Sequence, residues 1–498
     1  MNNIPVITAG IIAVSRDCFP VELSRKRRIR IAKECRRIKV QIHEIQTVLE
    51  NEYDVMKALK EIRNLKINAL VVYLGNFGPE GPAAMLAQKF NGPVMFAAAA
   101  EETSSDLYDG RGDAFCGLLS ASYNMGIRNL RVHLPQKPVG TADEVASMIK
   151  DFIPMARVII GLRNLKIFSF GPGPSDFLTC HARIEPLFDL GVEIMENSEL
   201  DMYDNFLSKK GDKRIKSVAA DMAKELGKGN TYPDLLRPLA QFEVSLTDFM
   251  EKNLGASHYG AFANKCWPSF EKYFGFVPCF VNSRLAARGI PVACESDIYG
   301  ALSEYICACA SDLPPAILDI NNTVPNDMYK KEKKAVGNYK HEDLFMGFHC
   351  GNTPSSCMTS CRMNYQIIMH RLMEPGKPPN ITRGTIEGSI RPGNMTLFRL
   401  QSTPESELRA YVAEGEILNI DPRSFGCIAV FAVPEMARFY RYVLLEKRFP
   451  HHTAVAFSHN GQTLWETMKL LGIKDLSSNL PKGSFYPAEY PGMTIKVK

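Results

Sequence analysis

The sequence lacks the features that mark membrane-spanning and repetitive proteins. No apolar run approaches the roughly 18 residues that a membrane-spanning helix needs. There is no internal repeat and no low-complexity segment, and only two tryptophans occur in 498 residues. The opening segment, MNNIPVITAGIIAV, lacks the basic stretch of a signal peptide and predicts a buried strand. These absences favour a globular protein of the cytoplasm with no membrane partner.

The chain also has little net charge and no even set of cysteines. The 59 basic and 54 acidic residues leave a formal charge of +5, too small an excess to predict a nucleic-acid partner. The densest basic run, at 24–40, carries apolar residues at helical spacing and predicts the exposed face of a helix. Thirteen cysteines in a long chain predict reduced thiols rather than a disulfide framework. The spacing of Cys350, Cys357 and Cys361 misses the paired pattern of structural zinc sites, so their role stays open.

What is present is an order of strand-like and helical segments that predicts three domains, at about 150 residues per domain. Residues 1–165 alternate β-branched runs with helical patterns, which is typical of an α/β domain with a parallel sheet. A second α/β domain is expected over 166–318. Residues 319–498 are rich in short strands. The predicted fold class is α/β, with two Rossmann-like parallel-sheet domains followed by a strand-rich, partly antiparallel, barrel-like C-terminal domain.

Individual segments are predicted from their composition. The β-branched runs at 37–42 and 129–134 predict strands of the first sheet. The stretch at 213–256 predicts a long helix. The charged segment at 326–343 predicts a surface loop.

Acidic and histidine side chains at the boundaries of predicted strands carry the clearest chemical signal. Glu295 follows the apolar strand PVAC, and Asp319 follows the apolar strand PPAIL. His451 and His452 begin a strand in FPHHTAVAFSH. Open α/β sheets gather their ligands at the carboxyl ends of parallel strands. Two carboxylates with imidazole favour Mn²⁺, Co²⁺ or Mg²⁺, although each residue alone could also be a helix cap or an ion-pair partner.

At these residues the sequence resembles the L-fucose isomerase and L-arabinose isomerase superfamily of ketol isomerases. The block from 289 to 322 is similar to the family's metal-binding segment, in which a strand-end Glu is followed further along by Asp or Glu. Glu295 and Asp319 match these positions, and Asp at the second is similar to the fucose branch. PHHTAVAFSHNG resembles the C-terminal histidine segment and maps its liganding residue to His452. MGFHCGN aligns with a segment that supplies a histidine ligand in the arabinose branch, so His349 is the candidate fourth ligand.

The resemblance implies an aldose–ketose isomerase that depends on a divalent metal, Mn²⁺ before Co²⁺ or Mg²⁺, and works through an enediol. Glu295 and Asp319 would bind the ion and exchange a proton with C1 and C2 of the sugar. His452 and His349 would complete the coordination. The expected substrate is a monosaccharide related to L-fucose or L-arabinose, or a modified hexose, including an anionic one.

The resemblance also implies residues that contact the sugar. The segment NKCWP contacts sugar in the family and makes Asn264, Lys265 and Trp267 candidates, although a core role explains Trp267 equally well. His451 and Arg16 are further candidates. Because the family's active site lies between subunits, Arg16 would serve a neighbouring subunit's site. The implied assembly is a homo-oligomer, a trimer or a hexamer.

Two other functions stay open at this stage. A non-catalytic sugar-binding protein is one, since paired α/β domains also build hinged binding proteins, but it needs neither a metal nor an acid–base pair. A sugar epimerase that uses the same metal site is the other, because enediolate chemistry serves both reactions.

Overall fold

The computed structural model describes residues 3–108 and 110–490. The chain forms two compact units, one made of residues 5–160 and 466–472 and the other of the remaining described residues. The described residues form sheets of five, four and nine strands. Among the described helices, none is both long enough and apolar enough to cross a membrane.

The first unit contains the five-stranded sheet. Its strands are β1 (Ala9–Val14), β2 (His43–Glu44), β3 (Ala69–Leu74), β4 (Val94–Ala99) and β5 (Val139–Gly140). Its helices are α1 (Val21–Arg37), α2 (Glu52–Asn64), α3 (Glu80–Lys89), α4 (Ala114–Ile127) and α5 (Ala142–Leu162), which runs just beyond the unit. The strands are parallel in the order β2-β1-β3-β4-β5. The three central strands are buried along their whole length, which explains their continuous apolar sequences.

Two strand predictions in this unit are wrong in position. The segment 37–42 includes the end of α1 and a turn, and β2 begins only at His43. In the segment 129–134 only a single bridge forms, between Met95 and His133, and β5 lies further along. Both segments lie next to the edge strands of the sheet, where a strand has one neighbour to fix its position. The basic run forms α1 as predicted, but its buried side includes the charged Arg28 beside the apolar Ile31 and Cys35.

The second unit begins with a parallel sheet. Its strands are β6 (Leu165–Gly171), β7 (Glu193–Ser198), β8 (Tyr259–Ala263) and β9 (Val292–Ala293), in the order β7-β6-β8-β9. The helices of this part are α6 (Glu185–Asp189), α7 (Glu199–Ser208), α8 (Arg214–Leu226), α9 (Leu236–Asn253), α10 (Phe270–Phe274), α11 (Cys279–Ala286) and α12 (Ile298–Ser311). The long helix predicted over 213–256 is two helices, because glycines and Pro233 separate α8 from α9.

The nine-stranded sheet is mostly antiparallel. Its strands are β10 (Ala316–Thr323), β11 (Leu344–His349), β12 (Arg362–Tyr365), β13 (Arg383–Ser389), β14 (Gly393–Ser402), β15 (Leu408–Leu418), β16 (Cys427–Ala432), β17 (His452–Ala456) and β18 (Asp475–Ser478). The order is β12-β13-β16-β11-β10-β17-β14-β15-β18, and β15 also pairs with β16. Six antiparallel strands from β16 to β15 therefore close a ring, which confirms the predicted barrel-like part of the fold.

Five short helices accompany this sheet: α13 (Asn326–Lys331), α14 (Lys333–Val336), α15 (Ile367–Met373), α16 (Met436–Phe439) and α17 (Gly461–Leu471). The surface loop predicted over 326–343 is therefore wrong in part. Met328 and Val336 are buried and anchor α13 and α14, so two apolar residues among many charges are enough to fold this segment.

Candidate metal and active site

Asp319 and His452 are brought together by strand pairing. β10 and β17 are antiparallel neighbours, and Asp319 lies directly opposite His452 in their register. Such cross-strand neighbours place their side chains next to each other on one face. Asp319 Oδ1 is 3.4 Å from His452 Nε2. The prediction that Asp319 follows the end of a parallel strand is wrong. β10 continues to Thr323, and its neighbours on both sides pair with it antiparallel.

Glu295 reaches the same place from the end of β9. Glu295 and Ser296 both have left-handed backbone conformations, with φ of 55° and 57°. Such residues cost about 1–3 kcal/mol each and persist where the surroundings hold them. Here the Ser296 amide donates to the Asn264 carbonyl at 2.8 Å, and its hydroxyl donates to the Phe170 carbonyl at 2.9 Å. This turn places Glu295 Oε2 at 3.4 Å from His452 Nε2.

Two buried carboxylate oxygens thus converge on one imidazole nitrogen. Glu295 Oε2 and Asp319 Oδ1 have no hydrogen-bond partner among the described residues. A buried acceptor without a partner costs free energy and calls for an explanation. A divalent cation would satisfy both oxygens and would accept the lone pair of His452 Nε2. The set of donors therefore fits a metal ion that prefers oxygen and imidazole ligands.

The two carboxyl groups differ in acidity. Burial raises the pKa of Asp319 to about 7, and the charge of Glu295 adds to this while His452 opposes it. Burial also acts to raise the pKa of Glu295, but the attraction of His452 and His349 outweighs it and holds this pKa below its usual value. Burial opposes protonation of His452, yet the contacts with Asp297, Cys180 and Glu295 raise its pKa well above the ordinary value. Without an ion, His452 is therefore the cation that balances the site.

Behind His452 lies a fully buried pair that the sequence did not reveal. Asp297 accepts a hydrogen bond from His452 Nδ1 at 2.9 Å and binds Arg399 through both carboxylate oxygens, at 2.7 and 2.8 Å. Asp297 also accepts from the Gly300 amide and so caps the start of α12. Because Asp297 is an acceptor, Nδ1 carries a proton and Nε2 is turned toward the two open carboxylates. The only available signal was a charged residue, Arg399, inside the apolar strand LFRLQ.

His349 and His451 border the site. His349 is buried, its ring centroid is 6.0 Å from that of His452, and its Nδ1 accepts a hydrogen bond from the Cys350 amide. One of its ring nitrogens lies within 4.8 Å of both the Glu295 carboxylate and Cys294 Sγ. His451 Nε2 is 3.8 Å from Asp319 Oδ1. Burial lowers the pKa of both rings to about 4, so both are neutral near pH 7.

Of the residues predicted to contact sugar, His451 lies beside Asp319, and Trp267 is connected to His451 through Phe177. The Trp267 ring packs edge-on to Phe177 at 6.1 Å, and Phe177 packs edge-on to His451 at 5.9 Å. The Asn264 side chain exchanges hydrogen bonds with the side-chain amide of Asn282. Lys265 donates to the Pro172 carbonyl at 2.6 Å, and its charge is paired with Glu199 at 3.2 Å.

Arg16 and the cysteine cluster complete the set of predicted residues. Arg16 lies in the other compact unit, with its guanidinium over the Phe77 ring. Cys350 accepts a contact from Gln366, and Cys357 contacts the Pro314 carbonyl. Neither these two nor Cys361 belongs to a group of described residues that could hold a metal. None of the described cysteines forms a disulfide.

Two family models match separate parts of the chain. The model described as fucose/sulfoquinovose isomerase, N-terminal domain, matches residues 10–163. The model described as L-fucose isomerase, C-terminal domain, matches residues 347–477, which include His349 and His452. Glu295 and Asp319 lie between the two matched ranges.

Curated relatives match across part of the chain. The sulfoquinovose isomerase of Alkalicoccus urumqiensis is 25% identical over 318 residues, which are 63% of this chain and 64% of that protein. The sulfoquinovose isomerase of Priestia aryabhattai is 24% identical over 331 residues, 65% of this chain and 66% of that protein. The chain thus spans a little under two thirds of the length of these relatives. The two domain models and these relatives confirm the resemblance found in the sequence: the chain belongs to the L-fucose isomerase-like superfamily.

Proposed function

We propose that this chain is an aldose–ketose isomerase that holds a divalent cation, Mn²⁺ first, at Glu295, Asp319 and His452. The observation that carries the proposal is the pair of partnerless carboxylate oxygens facing His452 Nε2. The family supports the reaction. The names of the relatives support a sulfonated sugar such as sulfoquinovose as the substrate.

The residues divide the work of moving a proton between C1 and C2. When bound, the ion would supply the Lewis acidity that stabilises negative charge on the two sugar oxygens. Each carboxylate has two oxygens, so Glu295 and Asp319 can each hold the ion with one and exchange a proton with the sugar through the other. His452 stays fixed through its Nδ1 hydrogen bond to Asp297. Trp267 and His451 form the side that receives the sugar, and an aromatic face suits the C–H side of a sugar ring.

The test replaces each carboxylate by its amide. Glu295→Gln and Asp319→Asn should each lower exchange of the sugar C2 proton with D₂O by about 10²–10⁴-fold, the usual contribution of a general acid or base, and should weaken Mn²⁺ binding. Glu304→Gln is the matched control. Glu304 is buried on α12 and burial raises its pKa to about 8, so its carboxyl is already neutral at pH 7. Near-native turnover in either carboxylate variant would contradict the assignment.

The same assay separates the alternative functions. Wild-type protein incubated with Mn²⁺ and a panel of sulfoquinovose, L-fucose and L-arabinose in D₂O should give deuterated ketose from the sulfonated sugar first. An epimerase would instead return a stereoisomeric aldose. A sugar-binding protein would bind without exchange, and the purified protein would then contain no divalent ion.

We also infer a homo-oligomer located in the cytoplasm. The free thiols support a reducing compartment.

Helix α4 exposes an apolar stripe of four residues at every fourth position, each at least 63% exposed: Phe115, Leu119, Tyr123 and Ile127. Isolated exposed apolar residues are ordinary, but a continuous stripe favours cover by another surface, here a second copy of the chain. Leu119→Lys with Tyr123→Lys should lower the mass measured by light scattering. Leu200→Lys, at an equally exposed leucine outside the stripe, should leave the mass unchanged. A monomeric wild type would contradict this inference.

A further inference from the structure

The Nδ1 atoms of the two buried histidines face partners of opposite kind, an acceptor in one case and a donor in the other. His452 Nδ1 faces the Asp297 carboxylate at 2.9 Å, an acceptor, so the proton is on Nδ1 and the lone pair of the neutral ring is on Nε2. His349 Nδ1 faces the backbone amide of Cys350 at 2.9 Å, which is a donor. Nδ1 of His349 must therefore accept, and the proton of the neutral ring lies on Nε2.

We infer that His349 is a hydrogen-bond donor to the sugar and not the fourth metal ligand. A histidine binds a cation through a nitrogen lone pair. Nδ1 of His349 is already used by Cys350. Nε2 could offer a lone pair only if the proton moved to Nδ1, where it would face the Cys350 N–H and leave that amide without an acceptor. The inference rests on the proposed function, because it assigns the donor to the same substrate.

The surroundings leave Nε2–H available to a ligand. Among the described residues, the hydrogen bond seen for the ring is the one at Nδ1, and the residue is only 4% exposed. A ring nitrogen lies within 4.8 Å of the Glu295 carboxylate, so the ring borders the place where the sugar must bind. Cys294 Sγ lies within 4.8 Å of the same ring nitrogen, but it already contacts the side-chain amide of Asn352. A sugar oxygen next to Glu295 is thus the acceptor that the site lacks.

A neutral N–H at this position has a defined use. Negative charge develops on the sugar oxygens as the proton leaves carbon, and a fixed donor stabilises that charge more than it stabilises the uncharged sugar. His349 transfers no proton in this scheme, and no bond to it forms or breaks. Its loss should therefore lower kcat more than it raises KM.

The test compares three variants for two properties, the Kd of Mn²⁺ by calorimetry and the kcat for isomerisation. His349→Leu should leave the Kd within about threefold and lower kcat by about 10²–10³-fold, as loss of such a donor does elsewhere. His349→Gln, whose amide N–H reproduces Nε2–H, should recover at least a tenth of the wild-type kcat. His452→Gln should weaken Mn²⁺ binding by about tenfold or more. If His349→Leu weakens Mn²⁺ binding as much as His452→Gln does, or leaves kcat unchanged, the inference is wrong.

A direct readout of the ring does not require turnover. In a long-range ¹H–¹⁵N spectrum of protein labelled with ¹⁵N-histidine, the signals of His349 are identified as those that the His349→Gln variant lacks. These signals should show an Nε2–H tautomer, both without metal and with diamagnetic Mg²⁺. An Nδ1–H tautomer, or a shift of Nε2 on adding Mg²⁺, would overturn the inference. Failure of the proposed function would appear instead as wild-type protein that binds Mn²⁺ and turns over no sugar.

Discussion

The two nitrogens of His452 face regions of opposite character. On the Nδ1 side, Asp297 and Arg399 are completely buried, and their charges are matched through two short hydrogen bonds. On the Nε2 side, Glu295 and Asp319 are 22% and 21% exposed and present oxygens without partners. The first region is a complete polar network that needs no ligand. The second region is where the proposed ion would bind, so different residues would hold the imidazole and bind the ion.

Disrupting the region on the Nδ1 side, the inner region of Asp297 and Arg399, should have the largest effect on stability. Arg399→Met leaves the Asp297 carboxylate buried without its partner, and removal of one member of such a pair costs about 3–5 kcal/mol of unfolding free energy. Urea unfolding in the presence of a chelator measures this cost without any contribution from metal.

The control makes the same substitution at a surface pair. Arg423 pairs with Glu332 at 3.3 Å, and its side chain is 42% exposed. Arg423→Met should cost less than about 1 kcal/mol. Equal losses in the two variants would show that the buried pair contributes no more than an exposed one.

The region on the Nε2 side, the outer region of Glu295 and Asp319, should make Mn²⁺ binding depend on pH. Without an ion, the raised pKa values of Asp319, about 7, and of His452 keep protons on both groups near neutrality. Because a metal binds the deprotonated forms, binding releases protons and strengthens as pH rises. The Mn²⁺ affinity should fall by at least about tenfold per pH unit below pH 7. Calorimetry in buffers of different ionisation enthalpy counts the protons, and Asp319→Asn should release fewer. An affinity independent of pH would contradict the coupling.

The smallest effect is expected where the outer region meets the sugar. Trp267→Leu removes the ring that packs on Phe177, and its buried indole Nε1 has no partner among the described residues. The loss of an aromatic contact worth about 1 kcal/mol should raise KM about fivefold and leave the Mn²⁺ affinity unchanged. Trp465→Leu changes the only other tryptophan, on α17, and should leave KM unaltered. If both variants behaved alike, Trp267 would have only a packing role.

Site residues that are marked by their immediate neighbours in the sequence could be predicted from it. Glu295 was found because an apolar run ends before it and a helix begins soon after, and both are short-range signals. His452 was found as the first residue of a strand, which it is. Asp319 follows an apolar run, which indicated it as a ligand, but the prediction that its strand ends there is wrong. Whether a strand continues past an acidic residue depends on its neighbours, and here pairing with β11 extends β10 to Thr323.

The inner network could not be predicted in this way. Asp297 and Arg399 are 102 positions apart, and nothing near either one indicates the other. Their meeting depends on how α12 packs against β14. The Nδ1 contact of His349 is a similar case, because a single backbone amide makes this nitrogen the acceptor.

The sequence by itself determined the order of parallel and antiparallel parts, the candidate metal ligands and the family, because strand burial and short motifs are local properties of the chain. The tertiary structure alone decided that Asp319 pairs with His452 across two strands, that Arg399 neutralises Asp297 beneath the site, and that the Nδ1 atoms of His452 and His349 face an acceptor and a donor. Each of these depends on the distance between atoms far apart in sequence, and hydrogen bonds and ion pairs form only within a few ångströms.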